Sequence, residues 1–303
     1  MLTLEKTGKF IGFIILSAAI LNAHAGYKKR VENFNFYAAD KDSQIVDQLA
    51  DFATQCKIKY DLFFNYKYTE EIDIYLTSSE EEYEKFNQPR VPEWSSGVAY
   101  TRLRKIILKP GSYYNPSRYR ETLFHEIAHM YIAAVSKGRR VPGWLNEGIC
   151  MYLSEKKISW EESITVSNAL TAGNLIELGA VDSVILFSDA QAELAYLQSY
   201  LAVDYLVAKV GEKGVSGIIK DLSSSSSLDD IFQKRFGYSF FEFDIEWYND
   251  LKKRYRWVSL LQFENLFWIL LILIICMAFF LIKIRNRRIL KEWETEDIIN
   301  RKE

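Results

Sequence analysis

The stretch ETLFHEIAHMYIAA, Glu121 to Ala134, contains two histidines four positions apart, with a glutamate directly after the first. The chain has three histidines, and the third, His24, lies close to the N-terminus. Side chains four positions apart on a helix share a face, about 6 Å apart along its axis, so His125 and His129 can bind one metal ion. Glu126 then lies beside the pair, where it can accept a proton from a zinc-activated water.

The alternative to a metal site is a chance pattern on a buried amphipathic helix. Apolar residues cover most of the circumference of this predicted helix, which indicates deep burial. Burying two imidazoles and a carboxylate without partners would cost several kcal/mol. A bound zinc ion is therefore the favoured interpretation.

A catalytic zinc site uses three protein ligands and leaves the fourth position to water. The third ligand cannot be a histidine, since none is left, and Val135 stands where the metzincin pattern requires one. The best candidate is Glu147 in VPGWLNEGICMYLSE, because the break at Pro142-Gly143 can turn a second helix back towards the first. Four other residues remain open as alternatives: Glu155, Glu161, Glu162 and Cys150.

The ordered pair HEIAH and WLNEG resembles the gluzincin zinc metallopeptidases, in particular the aminopeptidase-N and leukotriene-A4-hydrolase group and the smaller peptidase-MA-like domains. The resemblance extends from about Ser95 to Trp247. It implies a zincin-like fold and makes Glu147 the third zinc ligand. It also implies that the later helix AYLQSYLAVDYLVAKVGEKG supplies a tyrosine that stabilises the oxyanion, which places Tyr196 in that role, with Tyr200 as the alternative.

Two further segments bear on this resemblance. SSGVAYTRLRKIIL resembles the family's edge strand, whose backbone binds an extended substrate, although a plain sheet edge would have the same pattern. Met151 stands four residues after Glu147, where a thermolysin-like pattern has an aspartate that orients a zinc-bound histidine. The residues that orient the ligands must therefore come from elsewhere in the chain.

The composition restricts the partners. The formal net charge is −2 and no long basic stripe is present, so the sequence does not predict binding to nucleic acid. The expected partners are a peptide or protein substrate and a membrane. No feature of the sequence indicates an oligomeric state. The three cysteines do not form the pattern of a disulfide framework.

Two apolar segments predict the location of the chain. Residues 1–25 have the charged start, the short apolar run and the small residues of a secretory signal peptide. Residues 264–283 contain LFWILLILIICMAFFLI, which is long enough to cross a bilayer and is followed by Lys and Arg residues typical of a cytoplasmic flank. We therefore expect a single-pass membrane protein with residues 26–257 on the extracytoplasmic side and residues 284–303 as a short cytoplasmic tail.

The fold class predicted is α+β. Strand-like segments (NFNFYAA, EIDIYLT and GVAYTRLRKIILKP) and one helix-like segment (DSQIVDQLADFATQCKIKYDLFF) precede a mostly helical second half. This predicts a small mixed sheet with an edge strand next to a helical zincin-like domain, followed by one transmembrane helix. The amphipathic segment from Ser227 to Tyr255 is expected to be helical.

Together these features predict a membrane-anchored zinc metallopeptidase of the gluzincin type. Zn²⁺ would be bound by His125, His129 and Glu147, with Glu126 as general base and Tyr196 as oxyanion donor. The alternative function is a catalytically inactive binding or scaffolding protein that keeps the zincin fold at the membrane. Glu126 argues against this alternative, because a purely structural metal site needs no base.

Overall fold

A computed structural model of the chain describes residues 26–87, 95–110, 115–224, 227–258 and 263–300. The predicted signal peptide, residues 1–25, lies outside the described residues. The same is true of the predicted loop from Asn87 to Glu93, except for Asn87 itself, which ends a helix.

A five-stranded mixed sheet forms the first half of the fold, with the strand order β1-β2-β3-β5-β4. Its strands are β1 Tyr27–Val31, β2 Phe34–Ala38, β3 Ile72–Leu76, β4 Gly97–Tyr100 and β5 Lys105–Leu108. The central pairs β2–β3 and β3–β5 are parallel, whereas β1 and β4 lie antiparallel at the two edges. The three strand-like segments of the sequence are confirmed, and GVAYTRLRKIILKP forms the β4–β5 hairpin. The charged strand β1 was not expected, since its sequence YKKRV has little apolar character.

Nine α-helices are described: α1 Ser43–Phe64, α2 Glu80–Asn87, α3 Pro116–Val135, α4 Gly143–Leu153, α5 Trp160–Ala172, α6 Asp189–Leu222 (interrupted at Gly211), α7 Leu228–Phe236, α8 Phe240–Tyr255 and α9 Phe263–Asn300. The α+β class is therefore confirmed. The segment from Ser227 to Tyr255 forms two helices rather than one, because Gly237, at φ 79°, ends α7 in the left-handed region. Two helices were not expected: α2, which is short and acidic, and α5, which has little apolar periodicity.

An aromatic cluster joins α1 to α3. The Tyr60 hydroxyl donates to the buried carbonyl oxygen of Phe124 at 2.9 Å, and its ring packs edge-on against Tyr131 at 5.5 Å between centroids. The Tyr131 hydroxyl donates to Asp61 at 2.6 Å. Because these contacts combine burial with satisfied hydroxyl groups, they fix α3 against α1.

The chain divides into two compact units. The first comprises Met1–Ser159 and Leu175–Asp250, which includes the whole sheet and α3, α4 and α6. The second comprises Trp160–Asn174 and Leu251–Glu303. Within the second unit, Leu266–Lys291 of α9 is 26 residues long, exposed, and apolar enough to cross a membrane. The helix α9 continues to Asn300, so the predicted tail is helical as far as it is described.

Candidate metal centre and active site

Helix α3 presents both histidines on one face. It begins with Pro116 at its first position, and the Asn115 side chain accepts from the N–H of Ser117 at 3.1 Å, which caps the helix. The Nε2 atoms of His125 and His129 lie 3.2 Å apart. The two imidazoles therefore converge on one point, as the four-residue spacing predicts.

Glu147 arrives at the same point from α4. The Oε2 atom of Glu147 lies 3.3 Å from Nε2 of His125 and 3.7 Å from Nε2 of His129. We call these three atoms the donor triangle. A tetrahedral zinc with bonds of about 2.0–2.1 Å requires ligand atoms about 3.3–3.4 Å apart, so the donor triangle fits a zinc ion closely. Burial alone would raise the pKa of Glu147, but the neighbouring His129 and His125 together bring it below its usual value.

Trp144 holds α4 in this position. Its indole is buried and stacks on Phe240 and Phe243, with ring centroids 5.6 and 5.9 Å away. The tryptophan of the WLNEG motif is therefore a packing residue, three positions before Glu147. It anchors the first turn of α4 in the aromatic core.

The other possible ligands are placed differently. Cys150 also lies near the histidines, and the three residues bring donor atoms within 4.8 Å of one another. Its Sγ, however, lies 3.3 Å from Nδ1 of His129, on the other side of the ring from Nε2. We therefore favour the tighter donor triangle. Glu155 pairs instead with Arg120 at 2.7 Å and with Lys59 at 3.0 Å.

Two of the remaining alternatives, Glu161 and Glu162, lie in the first turn of α5. The cysteines Cys56 and Cys150 are free thiols, and burial raises the pKa of each. Neither the two glutamates of α5 nor the two cysteines change the choice of His125, His129 and Glu147 as the candidate ligands.

Glu126 is buried beside the donor triangle and next to the edge strand β4. The residue is 7% exposed, and the backbone N–H of Ala99 donates to its carboxylate. Burial raises the pKa of Glu126 to about 7, and the charge of Glu147 acts in the same direction, while His129 and the Ala99 N–H oppose it. A carboxyl group with a pKa near neutrality is suited to accept and return a proton at neutral pH.

Tyr196 lies in the electric field of both carboxylates. Its pKa is raised by burial first, and then by the charges of Glu147 and Glu126. The alternative, Tyr200, lies close enough to Tyr152 to affect the pKa of that residue instead. The charges of Glu147 and Glu126 thus act on Tyr196, which is compatible with the role that the resemblance implies for it.

A glycine allows α6 to lie close to α4. A Cβ atom on Gly148 would lie only 2.3 Å from the carbonyl oxygen of Ser199 and 2.6 Å from Cγ2 of Val203. Tyr196 precedes Ser199 by one helical turn. The glycine of WLNEG thus permits the close approach that brings the tyrosine's helix to the glutamate's helix.

Like the Ala99 contact with Glu126, a second contact of the site was not predicted from the sequence. Asn146, the residue before Glu147, places its Oδ1 3.3 Å from Nδ1 of His129. An Nδ1–H that donates to this amide oxygen leaves Nε2 unprotonated. Its lone pair is then available to bind a metal ion at the donor triangle. The asparagine in WLNEG is the sequence feature that could have indicated this contact. The direction of its side chain, however, depends on how α3 and α4 cross, which the sequence alone does not define.

A comparison with protein families decides the assignment. The sequence profile described as Peptidase MA superfamily matches residues 52–253. The chain belongs to the Peptidase MA superfamily. This match covers the sheet from β3 to β5, both histidines, Glu147 and Tyr196. A comparison of the chain with curated proteins found no significant match. Members of this superfamily are typically zinc-dependent, which agrees with the donor set described above.

Proposed function

We propose that this Peptidase MA chain is a membrane-anchored zinc metallopeptidase of the gluzincin type, with its active site on the extracytoplasmic side. The observation that carries the proposal is the donor triangle of His125, His129 and Glu147 with a buried Glu126 beside it. A structural zinc site would normally use four protein ligands, whereas three ligands and a neighbouring carboxylate are typical of hydrolysis.

The proposed ligands would hold a zinc ion, which, when bound, polarises a carbonyl group and makes water more acidic. Glu126 takes the proton of the attacking water and delivers it to the leaving amine. Its pKa of about 7 suits both transfers, and the N–H of Ala99 holds its carboxylate in place. Tyr196 donates its hydroxyl hydrogen to the oxygen on which negative charge develops.

The edge strand β4 is proposed to bind the substrate backbone. The N–H of Lys109 donates to the carbonyl oxygen of Ser96 at 3.0 Å, so Ser96 pairs with the β5 side of the hairpin. Strand alternation directs the backbone groups of Gly97 and Ala99 to the opposite, outer edge. The donation from Ala99 to Glu126 agrees with this direction. The Ala99 N–H and the Gly97 carbonyl oxygen, which accepts from Ser95 Oγ at 2.6 Å, have partners, so the substrate would pair with the Gly97 N–H and the Ala99 carbonyl oxygen. An extended peptide added to this edge would pass the general base.

The proposed topology rests on the two apolar segments of the chain. Residues 1–25 would direct the domain of residues 26–257 across the membrane, residues 264–283 would span it, and residues 284–303 would stay in the cytoplasm. The apolar, exposed stretch Leu266–Lys291 supports the spanning segment. Basic residues lie on both sides of this segment, so the cytoplasmic position of the tail rests on the predicted signal peptide.

The decisive experiment compares wild type with Glu126→Gln, both as full-length protein in detergent. We expect Glu126→Gln to keep its zinc and its fold while peptide hydrolysis falls by about 10²–10⁴-fold, since a general base contributes about that factor. Hydrolysis is measured with quenched fluorescent peptides, and bound zinc by elemental analysis. Glu121→Gln is the matched control, because Glu121 lies on the same helix and is exposed.

Two outcomes would contradict the proposal. Equal hydrolysis by wild type and Glu126→Gln would remove Glu126 from the mechanism. Zinc-loaded wild type that cleaves none of a broad set of peptides would favour the binding or scaffolding function instead.

A further inference from the structure

A shallow depression lies where β4 begins and β5 ends, next to the first turns of α3, and two cationic side chains contribute to its lining. The lining residues are Ser96, Lys109, Arg118, Tyr119 and Thr122. The guanidinium of Arg118 is exposed and donates to Ser96 Oγ at 3.2 Å. Within the part of the chain that the structure describes, no Asp or Glu oxygen lies within 4.0 Å of it. The side chain of Lys109 is 13% exposed, and Glu80 lies 3.9 Å from its ammonium group.

The depression lies along the same face of α3 as the donor triangle. Arg118, Thr122, His125 and His129 follow one another at intervals of four, three and four residues, which is the spacing of one helical face. At 1.5 Å per residue, Arg118 is about 10 Å along the helix axis from His125. A Cβ atom on Gly97 would lie 2.8 Å from Thr122, so the first residue of β4 packs directly against this face of α3.

The direction of β4 indicates which part of a substrate reaches Arg118. The strand begins next to Ser96 and Arg118 and continues towards Ala99 and Glu126. A peptide that pairs antiparallel, the more stable arrangement, runs the opposite way. Its C-terminal part therefore passes Arg118. An extended chain advances about 3.3 Å per residue, so about 10 Å corresponds to about three residues.

From this arrangement we infer that Arg118, with Lys109 beside it, forms a carboxylate-binding subsite on the C-terminal side of the cleaved bond. The subsite selects peptides that carry a carboxylate at the second or third residue after that bond, either as an Asp or Glu side chain or as the free C-terminus. An arginine fork suits this ligand, because its N–H groups match the geometry of a carboxylate. The inference rests on the proposed peptidase function.

The hydrolytic test uses quenched fluorescent peptides of one sequence, with Glu or Gln at each of the first three positions after the cleaved bond. A second pair of peptides ends at the third position after the cleaved bond, one with a free C-terminal carboxylate and the other with a C-terminal amide. Comparing the two pairs distinguishes recognition of a side-chain carboxylate from recognition of the free C-terminus. We expect full-length wild type to prefer the carboxylate-bearing peptide about tenfold in kcat/KM at the second or third position. Arg118→Gln should reduce this preference below twofold, while Arg118→Lys retains part of it.

Arg104→Gln is the matched control. Arg104 is also exposed, but it pairs with Glu70 at 2.8 Å and does not line the depression. This variant should keep the wild-type preference. Three results would overturn the inference. Wild type could show no preference, or it could prefer a carboxylate on the N-terminal side of the cleaved bond. Arg118→Gln could also lose kcat/KM equally for the Glu peptide and the Gln peptide.

A binding measurement separates this inference from the proposed function. Fluorescence anisotropy of the same peptides with full-length Glu126→Gln does not depend on turnover. Tighter binding of the carboxylate peptide, lost in the double variant Glu126→Gln, Arg118→Gln, would support the subsite even if wild type hydrolysed nothing. Equal binding of the Glu and Gln peptides, or no binding of either, would overturn the subsite.

Discussion

At the scale of single residues, the site depends on side chains that are directed by their neighbours. His129 offers Nε2 to the donor triangle, while its Nδ1 faces Asn146 Oδ1 and Cys150 Sγ. Of these two described neighbours, Asn146 offers an oxygen acceptor for the Nδ1–H, whereas Cys150, whose pKa burial raises, is a thiol. Asn146 is therefore the residue that orients this imidazole.

Asn146→Ala tests this role. We expect zinc affinity to fall about 10–100-fold, the usual loss when a residue that orients a metal ligand is removed. Competition with a zinc chelator measures the affinity, and circular dichroism shows whether the fold is kept. The exposed Asn168, replaced in the same way, serves as the control. Unchanged zinc affinity in Asn146→Ala would assign the orientation of His129 to another group.

The relative placement of His125, Glu126 and His129 could be predicted from the sequence because a helix fixes it without reference to the rest of the fold. Glu147 needed a resemblance to separate it from other carboxylates, since its place depends on how α4 returns to α3. The contacts of Asn146 and of Ala99 with the site depend on the crossing of separate elements. No local pattern in the sequence encodes such crossings.

At the scale of elements, two glycines determine how closely the parts of the site approach one another. Gly97 lets β4 lie against α3, since a Cβ atom there would be 2.8 Å from Thr122 Cγ2 and 3.0 Å from Glu126 Cγ. Gly148 does the same for α4 and α6, where the obstacle is the backbone oxygen of Ser199. The site is therefore a product of helix and strand separations as well as of its polar residues.

Gly97→Ala should impair catalysis more than stability. The added methyl group must displace Thr122 or Glu126, and a small misplacement of a catalytic group costs up to about a hundredfold in rate. We expect kcat/KM for a quenched peptide to fall about ten- to a hundredfold, with zinc still bound. Gly179→Ala is a suitable control, because a Cβ atom at Gly179 would meet no other atom within 4 Å. Full activity in Gly97→Ala would show that β4 does not constrain Glu126.

Gly148→Ala should instead destabilise the fold. The new methyl group meets backbone rather than a movable side chain, so α4 and α6 must separate, at a cost of about 1–3 kcal/mol in the free energy of unfolding. A lower Tm than wild type is the expected measurement, and Gly179→Ala should match wild type. If Gly148→Ala keeps the wild-type Tm, the close approach of α4 and α6 is not needed for stability.

At the scale of the whole molecule, a peptidase-like unit precedes a helix that is long and apolar enough to span a bilayer. The α+β class and this helix were both predictable from the sequence, because apolar periodicity and run length are local properties. The division of α7 from α8 was not, since a glycine inside an amphipathic pattern is compatible with a continuous helix as well as with a break.

The proposed anchoring predicts how the chain fractionates. Full-length protein should remain in the membrane pellet after an alkaline carbonate wash, because a span of about 20 apolar residues inserts stably. A chain that ends at Trp257 should move to the supernatant. Protease added to sealed vesicles of known sidedness tests the topology: digestion of the domain from the cytoplasmic face would reverse the proposed orientation.

The donor triangle also gives the molecule a built-in spectroscopic label. His125 and His129 are the only imidazoles between residues 26 and 303. Protein grown with ¹⁵N-histidine would therefore show side-chain nitrogen signals from the metal centre alone, once residues 1–25 are removed. Adding zinc should shift the signals of both Nε2 atoms, while the signals of the two Nδ1 atoms keep the chemical shift of protonated nitrogen. One spectrum would then report both the occupancy of the zinc site and the tautomer of each histidine, without sequential assignment.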